Sequence, residues 1–287
     1  MAYGLEIEPG ALIAVTDLGD DFGSETFKVV ETLHGANYVV EFTASSILDC
    51  TLGVDPHFSD TVLLLGFEGS NGSTGAPGMT DESFAAHGNA EVLGDAAIST
   101  AQFDTGTSSL SLSGVSPTSV RFEDSDDWTL SSSNSDEFTI ECSVYFTAIG
   151  TDDVLIAQYF ISPSIAWGLQ TDTNPTDEFQ FRFSTDGAAF EDVVSSGAAL
   201  TTGVWYRLAV DKDATGKIRL YKDGTMVGSA TPADSSILNI ADAITIGATA
   251  SGTKNMTGFM DEIRITKGVA RYASDGGYAV SVPFPRS

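Results

Sequence analysis

The sequence has few cysteines and few basic residues, and each shortage argues against a class of protein. Two cysteines, Cys50 and Cys142, occur in 287 residues, too few for a disulfide framework and too far apart for a zinc site of closely spaced ligands. Thirteen lysine and arginine residues stand against 40 aspartate and glutamate residues, and the formal net charge is −27. A field of that sign repels nucleic-acid phosphates and anionic lipid headgroups. We therefore expect neither nucleic acid nor a membrane surface as a partner.

Long apolar runs are missing as well. The apolar run Val62–Phe67 is far shorter than the roughly 20 residues that cross a bilayer, so we expect no membrane insertion. The opening MAYGLEIEPGALIAV has no basic start, and it places Glu6 and Glu8 where a signal peptide carries its apolar core. We therefore expect synthesis in a cytoplasm without a signal peptide.

Motifs of nucleophilic catalysis are also absent. The three histidines, His34, His57 and His87, lie in turn-like contexts in the N-terminal third of the chain, where each is expected to face solvent. No G-x-S-x-G nucleophile elbow and no phosphate-binding P-loop occur. Because no nucleophile with an activating base can be identified, we expect a protein that is not an enzyme.

Alternating apolar and polar residues, separated by Gly, Ser, Asp and Pro, are abundant, whereas helical periodicity is not. This pattern predicts an all-β antiparallel sandwich or jelly roll. The predicted strands are Leu12–Thr16, Thr26–Leu33, Asn37–Thr43, Thr61–Phe67, Leu110–Leu112, Phe138–Thr147, Val154–Tyr159, Phe179–Ser184, Trp205–Asp211, Lys217–Lys222, Thr225–Ser229, Ala243–Gly247 and Gly258–Thr266.

Turn residues predict two hairpins and one domain boundary. Asp223-Gly224 separates two alternating runs and suits a two-residue type I′ turn, which needs positive φ at both positions. A second hairpin is predicted over Phe27–Phe42. Pro56 biases the residue before it to an extended conformation and marks a linker. We therefore predict a small N-terminal β module over residues 1–55, marginal in stability by itself, and a larger domain over residues 56–287.

Five blocks of sequence occur in the order that is typical of one family. They are DPHFSDTVLLLGFEGSNGST, AISTAQFDTGTSSLSLSG, DDWTL with DEFTIECSVYF, GVWYRLAVDKDATGKIRLYKDGTMVG, and GFMDEIRITKGVARY. Together they resemble the concanavalin A-like, laminin G-like jelly-roll modules of tailed-bacteriophage virion proteins. The opening MAYGLEIEPGALI resembles the first residues of small N-terminal modules on phage tail and virion proteins. After Tyr272 the chain departs from the family's usual closing sequence.

The resemblance implies a non-enzymatic virion structural protein on the particle surface, made in the host cytoplasm. Residues 1–55 would dock onto other virion proteins and the jelly roll would project outward, as a head decoration or fibre protein or as a tail fibre or receptor-binding protein. Homo-oligomerisation is expected, because virion positions are symmetric. The alternatives are a carbohydrate-binding, lectin-like module that recognises a host-surface glycan, with or without calcium, and a glycosidase, since this fold hosts all three.

Two adjacent carboxylates, Asp261 and Glu262, test the glycosidase alternative. A regular strand points successive side chains to opposite faces, which places Met260 and Glu262 on one face and Asp261 and Ile263 on the other. A retaining glycosidase needs two carboxyl groups roughly 5 Å apart on one side of the substrate. We therefore predict structural roles: Asp261 caps backbone amides, and Glu262 pairs with a base such as Arg264 or Lys267.

Two further groups of residues are candidates for binding. EDSDDW supplies four hard oxygen ligands of the kind that suit calcium: Glu123, Asp124, Asp126 and Asp127. Apart from this possible calcium site, no cofactor is expected. Among the aromatic residues, Phe179, Phe181 and Phe183 alternate along one strand, as core residues do, and Trp205 is also predicted to be core. Trp167, in SPSIAWGLQ, is predicted to be exposed and to stack on a glycan. Cys142 lies in an alternating apolar run and is predicted to be a small buried residue.

Overall fold

The computed structural model describes residues 54–159, 164–173 and 176–287, together with the backbone of two strands within residues 25–44. The chain divides into two compact units, Met1–Leu52 and Gly53–Ser287. In the first unit, β1 (Glu25–Leu33) and β2 (Ala36–Ala44) pair antiparallel, as the second predicted hairpin requires. Cys50 and the predicted strand Leu12–Thr16 lie outside the described residues.

The second unit is built almost wholly from strands. Its strands are β3 (Thr61–Leu65), β4 (Glu91–Leu93), β5 (Ala97–Ser99), β6 (Ser109–Ser113), β7 (Ser119–Phe122), β8 (Phe138–Ala148), β9 (Val154–Tyr159), β10 (Ile165–Thr173), β11 (Thr176–Phe183), β12 (Glu191–Val194), β13 (Trp205–Lys212), β14 (Ile218–Lys222), β15 (Thr225–Ala230), β16 (Ile244–Ile246) and β17 (Thr257–Lys267). Two single-turn 3₁₀ helices, Phe58–Asp60 and Asp126–Trp128, complete the described elements. None of the described helices is long and apolar enough to span a membrane.

The strands form two antiparallel sheets that face each other. One sheet has the order β12-β11-β10-β9-β16-β7-β4, and the other has the order β15-β14-β13-β8-β17-β6-β5, with β3 also paired to β17. Sequential strands therefore cross repeatedly between the sheets, as in a jelly roll. The predicted all-β, concanavalin A-like sandwich is confirmed.

The core lies between the sheets and follows from the alternation of the strands. Phe179, Phe181 and Phe183 of β11 are fully buried in one continuous cluster with residues from both sheets, and each contributes about 1.5–3 kcal/mol by leaving water. Cys142 is also buried in this cluster, and burial raises the pKa of its thiol and keeps it protonated. The predictions for these four residues are confirmed.

The turn chemistry of the Asp-Gly hairpin also agrees with the prediction. Asp223 and Gly224 both have positive φ, +50° and +78°, and they join β14 to β15. Five short or irregular strands were not predicted: β4, β5, β7, β10 and β12. Strands β4, β5, β7 and β12 contain only three or four residues, which are too few to show a period. In β10, bulges shift the register against the neighbouring strands.

Candidate functional site

Strand β17 contains a bulge at the two adjacent carboxylates. Between Asp261 and Arg264 the register against β8 shifts, so that three steps along β17 match two steps along β8. Glu262 is the extra residue and has a φ of +44°. Because of this bulge, Met260 and Ile263 both face the core. The predicted alternation of faces is therefore wrong beyond residue 261, since it assumed a regular strand.

Asp261 caps backbone amides as predicted, but two of the amides that donate to it belong to a loop that is distant in sequence. Its Oδ2 accepts hydrogen bonds from the backbone N–H of Asp104 (3.0 Å) and Thr105 (3.1 Å), and its Oδ1 accepts one from the N–H of Glu262. Burial raises the pKa of Asp261 to about 7, although the bonds from Thr105 and Asp104 act in the opposite direction.

Glu262 pairs with a base, but with neither of the two that were predicted. Its Oε1 and Oε2 accept from the Arg286 guanidinium at 2.7 and 3.0 Å, and Oε2 also accepts from the Phe284 N–H at 2.6 Å. Arg264 instead pairs with Glu141 at 2.7 Å. Both adjacent carboxylates are nearly inaccessible to solvent, so this pair is not a substrate-facing acid and base.

The segment 123–137, here called the rim segment, connects β7 in one sheet to β8 in the other, so it lies where strands end. Ser125 caps the short helix Asp126–Trp128 by accepting from the Asp127 N–H. Trp128 is fully buried, and its Nε1 donates to the carbonyl of Glu123. These contacts fix the rim segment against the core.

The four acidic residues proposed as a calcium site do not converge. Within the described part of the chain, no three His, Cys, Asp or Glu side chains lie close enough together to hold a metal ion. Asp127 instead lies 3.1 Å from Nε2 of His87, whose ring packs on Trp128 at 4.5 Å. His87 is therefore half-buried rather than solvent-facing.

Trp167 was predicted to be exposed, and that prediction is wrong. Its side chain is fully buried, its Nε1 donates to the Trp128 carbonyl at 3.1 Å, and its ring lies 6.4 Å from that of Phe181. It cannot stack on a ligand. Trp205, predicted to be core, is half-buried and packs on Tyr145 at 5.6 Å, outside the core cluster. The first assignment fails because Trp167 belongs to an unpredicted strand, β10, and the second because Trp205, in the predicted strand β13, lies outside the core cluster.

Two polar clefts open at the rim segment. The first, called the Thr129 cleft, has a volume of about 420 Å³ and is lined by residues that include Thr129, Ser132, Ser135, Asp136, Glu137 and Lys267. The second, called the His87 cleft, has about 160 Å³ and is lined by residues that include His87, Asn89, Glu91, Arg121, Glu123 and Asp124. The first lies within the size range of ligand sites.

A buried lysine holds the wall of the Thr129 cleft. Lys212 Nζ donates to three backbone carbonyls of the rim segment, those of Ser133 (3.3 Å), Asn134 (2.9 Å) and Asp136 (2.6 Å). The Asp136 carboxylate in turn accepts from the N–H groups of Ser132 and Ser133. This wall is ordered before any ligand arrives, which reduces the entropy cost of binding.

One group in the Thr129 cleft is left unpaired. Thr129 Oγ1 is buried and has no hydrogen-bond partner among the described residues. Leaving a buried hydroxyl unpaired costs about 1–3 kcal/mol, so rotation of the Thr129 side chain toward a ligand hydroxyl in the cleft would remove that cost. The predicted calcium ligands pointed to this part of the chain, but no feature of the sequence marks Thr129 or Lys212.

A model of the concanavalin A-like lectin/glucanases superfamily matches residues 116–272, which include the whole rim segment. No curated protein matches the sequence significantly.

Three solved structures resemble the fold. The binding domain of Paraclostridial Mosquitocidal Protein 1 has a TM-score of 0.56 and 14% identity, over 73% of this chain and 49% of that one. The botulinum neurotoxin serotype G binding domain has a TM-score of 0.54 and 12% identity, over 75% of this chain and 49% of that one. The third structure is domain 4 of AbnA, an extracellular arabinanase from Geobacillus stearothermophilus, in complex with arabinotriose. It has a TM-score of 0.51 and 17% identity, over 73% of this chain and 93% of that one. At such identities the likeness shows the fold alone, and the chain matches about half the length of each toxin domain.

Proposed function

The chain belongs to the concanavalin A-like lectin/glucanases superfamily, and from this premise we propose that its sandwich is a non-catalytic, lectin-like module that binds a carbohydrate chain at the rim clefts. The observation that carries the proposal is a polar cleft of about 420 Å³ whose lining includes Thr129, a residue whose hydroxyl has no hydrogen-bond partner among the described residues. Hydroxyl, carboxylate and ammonium groups line this cleft, and such groups both donate to and accept from sugar hydroxyls.

A non-catalytic role is supported by the two carboxylates that most resembled an acid pair. Asp261 is occupied by backbone amides and Glu262 by Arg286, and both lie outside the clefts. The structural relatives named as binding domains support the same role. The arabinotriose bound to domain 4 of AbnA makes short oligosaccharides the first ligands to test.

The test uses Thr129→Val in the full chain. Because Oγ1 has no partner in the described part of the chain, the substitution should leave the unfolding temperature unchanged or raised. Loss of one ligand hydrogen bond should weaken glycan binding about three- to tenfold. Ser119→Ala is the matched control, since Ser119 Oγ also is buried without a partner and lines neither rim cleft. Equal affinity in both variants, measured by calorimetry on the best oligosaccharide of an array, would contradict the proposal.

We also propose that the module is displayed on the virion surface of a tailed bacteriophage, with the first unit docking onto other virion proteins and the glycan lying on the host surface. The support is the ordered set of sequence blocks that resembles such virion proteins. In particles assembled with a chain that lacks residues 1–52, the first unit, the sandwich should be missing from purified virions, as judged by immunoblot. Normal incorporation of the truncated chain would contradict the docking role.

A further inference from the structure

The lysines and arginines of the described part are all engaged within the chain. Of the thirteen in the sequence, all but Lys28 lie in this part. Nine form ion pairs with carboxylates: Arg121, Arg182, Arg207, Lys217, Arg219, Lys254, Arg264, Arg271 and Arg286. The other three donate to backbone carbonyls: Lys212, Lys222 and Lys267. Each cation thus already has an internal partner.

The same holds inside the His87 cleft. Its one guanidinium, that of Arg121, is paired with Glu91 at 2.7 Å. Glu123 and Asp124 also line this cleft, are exposed, and form no ion pair with a described residue. The lining therefore keeps about two negative charges that no cation offsets.

The Thr129 cleft has a smaller excess of negative charge, because the Lys267 ammonium keeps its charge when it donates to a neutral carbonyl. Its one ammonium, that of Lys267, donates to the Asp126 carbonyl at 2.6 Å, and the carboxylates of Asp136 and Glu137 line the same cleft. An anionic ligand would have to draw Lys267 or Arg121 away from its partner to obtain a charge-assisted hydrogen bond. It would also meet repulsion from each unpaired carboxylate, which at about 6 Å in water lowers affinity roughly threefold.

From this distribution we propose that the glycan bound at the rim clefts is uncharged: the bound segment carries no carboxylate, sulfate or phosphate. The proposal rests on the proposed lectin-like function and adds the ligand class to it. Sugar hydroxyls can still use the hydroxyl and carboxylate oxygens of the clefts, because these need neutral donors and not cations. The formal charge of −27 acts in the same direction at longer range, since it repels anionic polymers before they make contact.

The test compares derivatives of one polysaccharide. Each neutral polysaccharide that binds the full chain is measured again after carboxymethylation and, as a control for bulk, after aminoethylation to the same degree. We expect the carboxymethyl form to bind at least tenfold more weakly than the neutral form at 20 mM salt. Its affinity should recover partly at 0.5 M salt, because salt screens the repulsion. The aminoethyl form should bind at least as well as the neutral one. Equal or tighter binding of the carboxymethyl form would overturn the proposal while the lectin-like function stood.

A pair of charge-reversal variants locates the effect. Glu123→Lys places a free cation in the His87 cleft and should raise affinity for the carboxymethyl polymer at least threefold. Glu191→Lys makes the same change of net charge on β12, at the opposite edge of the sheet from β4, and should have little effect. An equal gain in the two variants would overturn the assignment to the cleft. If no polysaccharide binds in any form, the proposed function itself fails, and this inference fails with it.

Discussion

Asp261 is a buried carboxyl whose ionisation the fold opposes. Burial raises its pKa to about 7 from an ordinary value of 3.8. Between those two values the folded chain binds more protons at this site than the unfolded chain does. The site therefore contributes stability that is fully present below pH 4 and is lost as pH rises through 7.

The variant Asp261→Asn cannot ionise at this site, so its stability should not fall as pH rises through 7. Relative to the parent, the free energy of unfolding of this variant should increase by about 1–3 kcal/mol between pH 5 and pH 8, because only the parent loses stability over this range. Urea denaturation followed by tryptophan fluorescence measures it, because all three tryptophans lie in the second unit. A difference between variant and parent that does not change with pH would contradict the raised pKa.

Single residues were the least predictable part of the site. The role of Asp261 followed from its place in a strand, but the partner of Glu262 did not, because no residue type in GFMDEIRITK signals a positive φ at a glutamate. Trp167 and Trp205 exchanged their expected environments for a similar reason: the face that a side chain occupies depends on strand register, which local sequence does not determine.

The C-terminal segment 268–287 covers the outer face of the eight-stranded sheet. Tyr272 and Tyr278 stack at 3.5 Å over this face, and the Arg264 guanidinium lies 3.9 Å from the Phe284 ring. The Asp55 N–H donates to the Ser287 carbonyl at 2.7 Å, which joins the two ends of the second unit. This segment follows the departure from the family's sequence at Tyr272, so neither the resemblance nor the strand pattern predicted its path, whereas the strands that form the core were predicted from alternation.

Removal of one contact should show how strongly this segment is held. Arg286→Ala leaves the Glu262 carboxylate buried without its cation, and we expect a loss of about 2–4 kcal/mol in the free energy of unfolding. Lys217→Ala removes a more exposed pair, with Asp275, and should cost about 0–1 kcal/mol.

The double variant Glu262→Gln/Arg286→Ala separates charge from packing. It should recover part of the loss, because the uncompensated charge is gone. If Arg286→Ala costs no more than Lys217→Ala in chemical denaturation, the segment is not held by this ion pair.

The sandwich of the second unit presents two acidic clefts beside the rim segment. The fold class and the class of ligand both depend on properties that a sequence displays well: strand alternation, the order of family blocks, and the excess of carboxylates. The clefts depend on how the connection between β7 and β8 folds over Lys212, a contact between residues about 80 positions apart. No local pattern predicts a contact at that separation.

In the proposed function, the rim clefts bind a carbohydrate chain without cleaving it. Hydrogen–deuterium exchange of the full chain, with and without a bound neutral polysaccharide, tests this most directly. We expect new protection within residues 123–137 and at Lys267–Gly268 or His87–Glu91, with the chain length of the polysaccharide unchanged after the incubation. Protection confined to other surfaces, or a shortened polysaccharide, would contradict the claim.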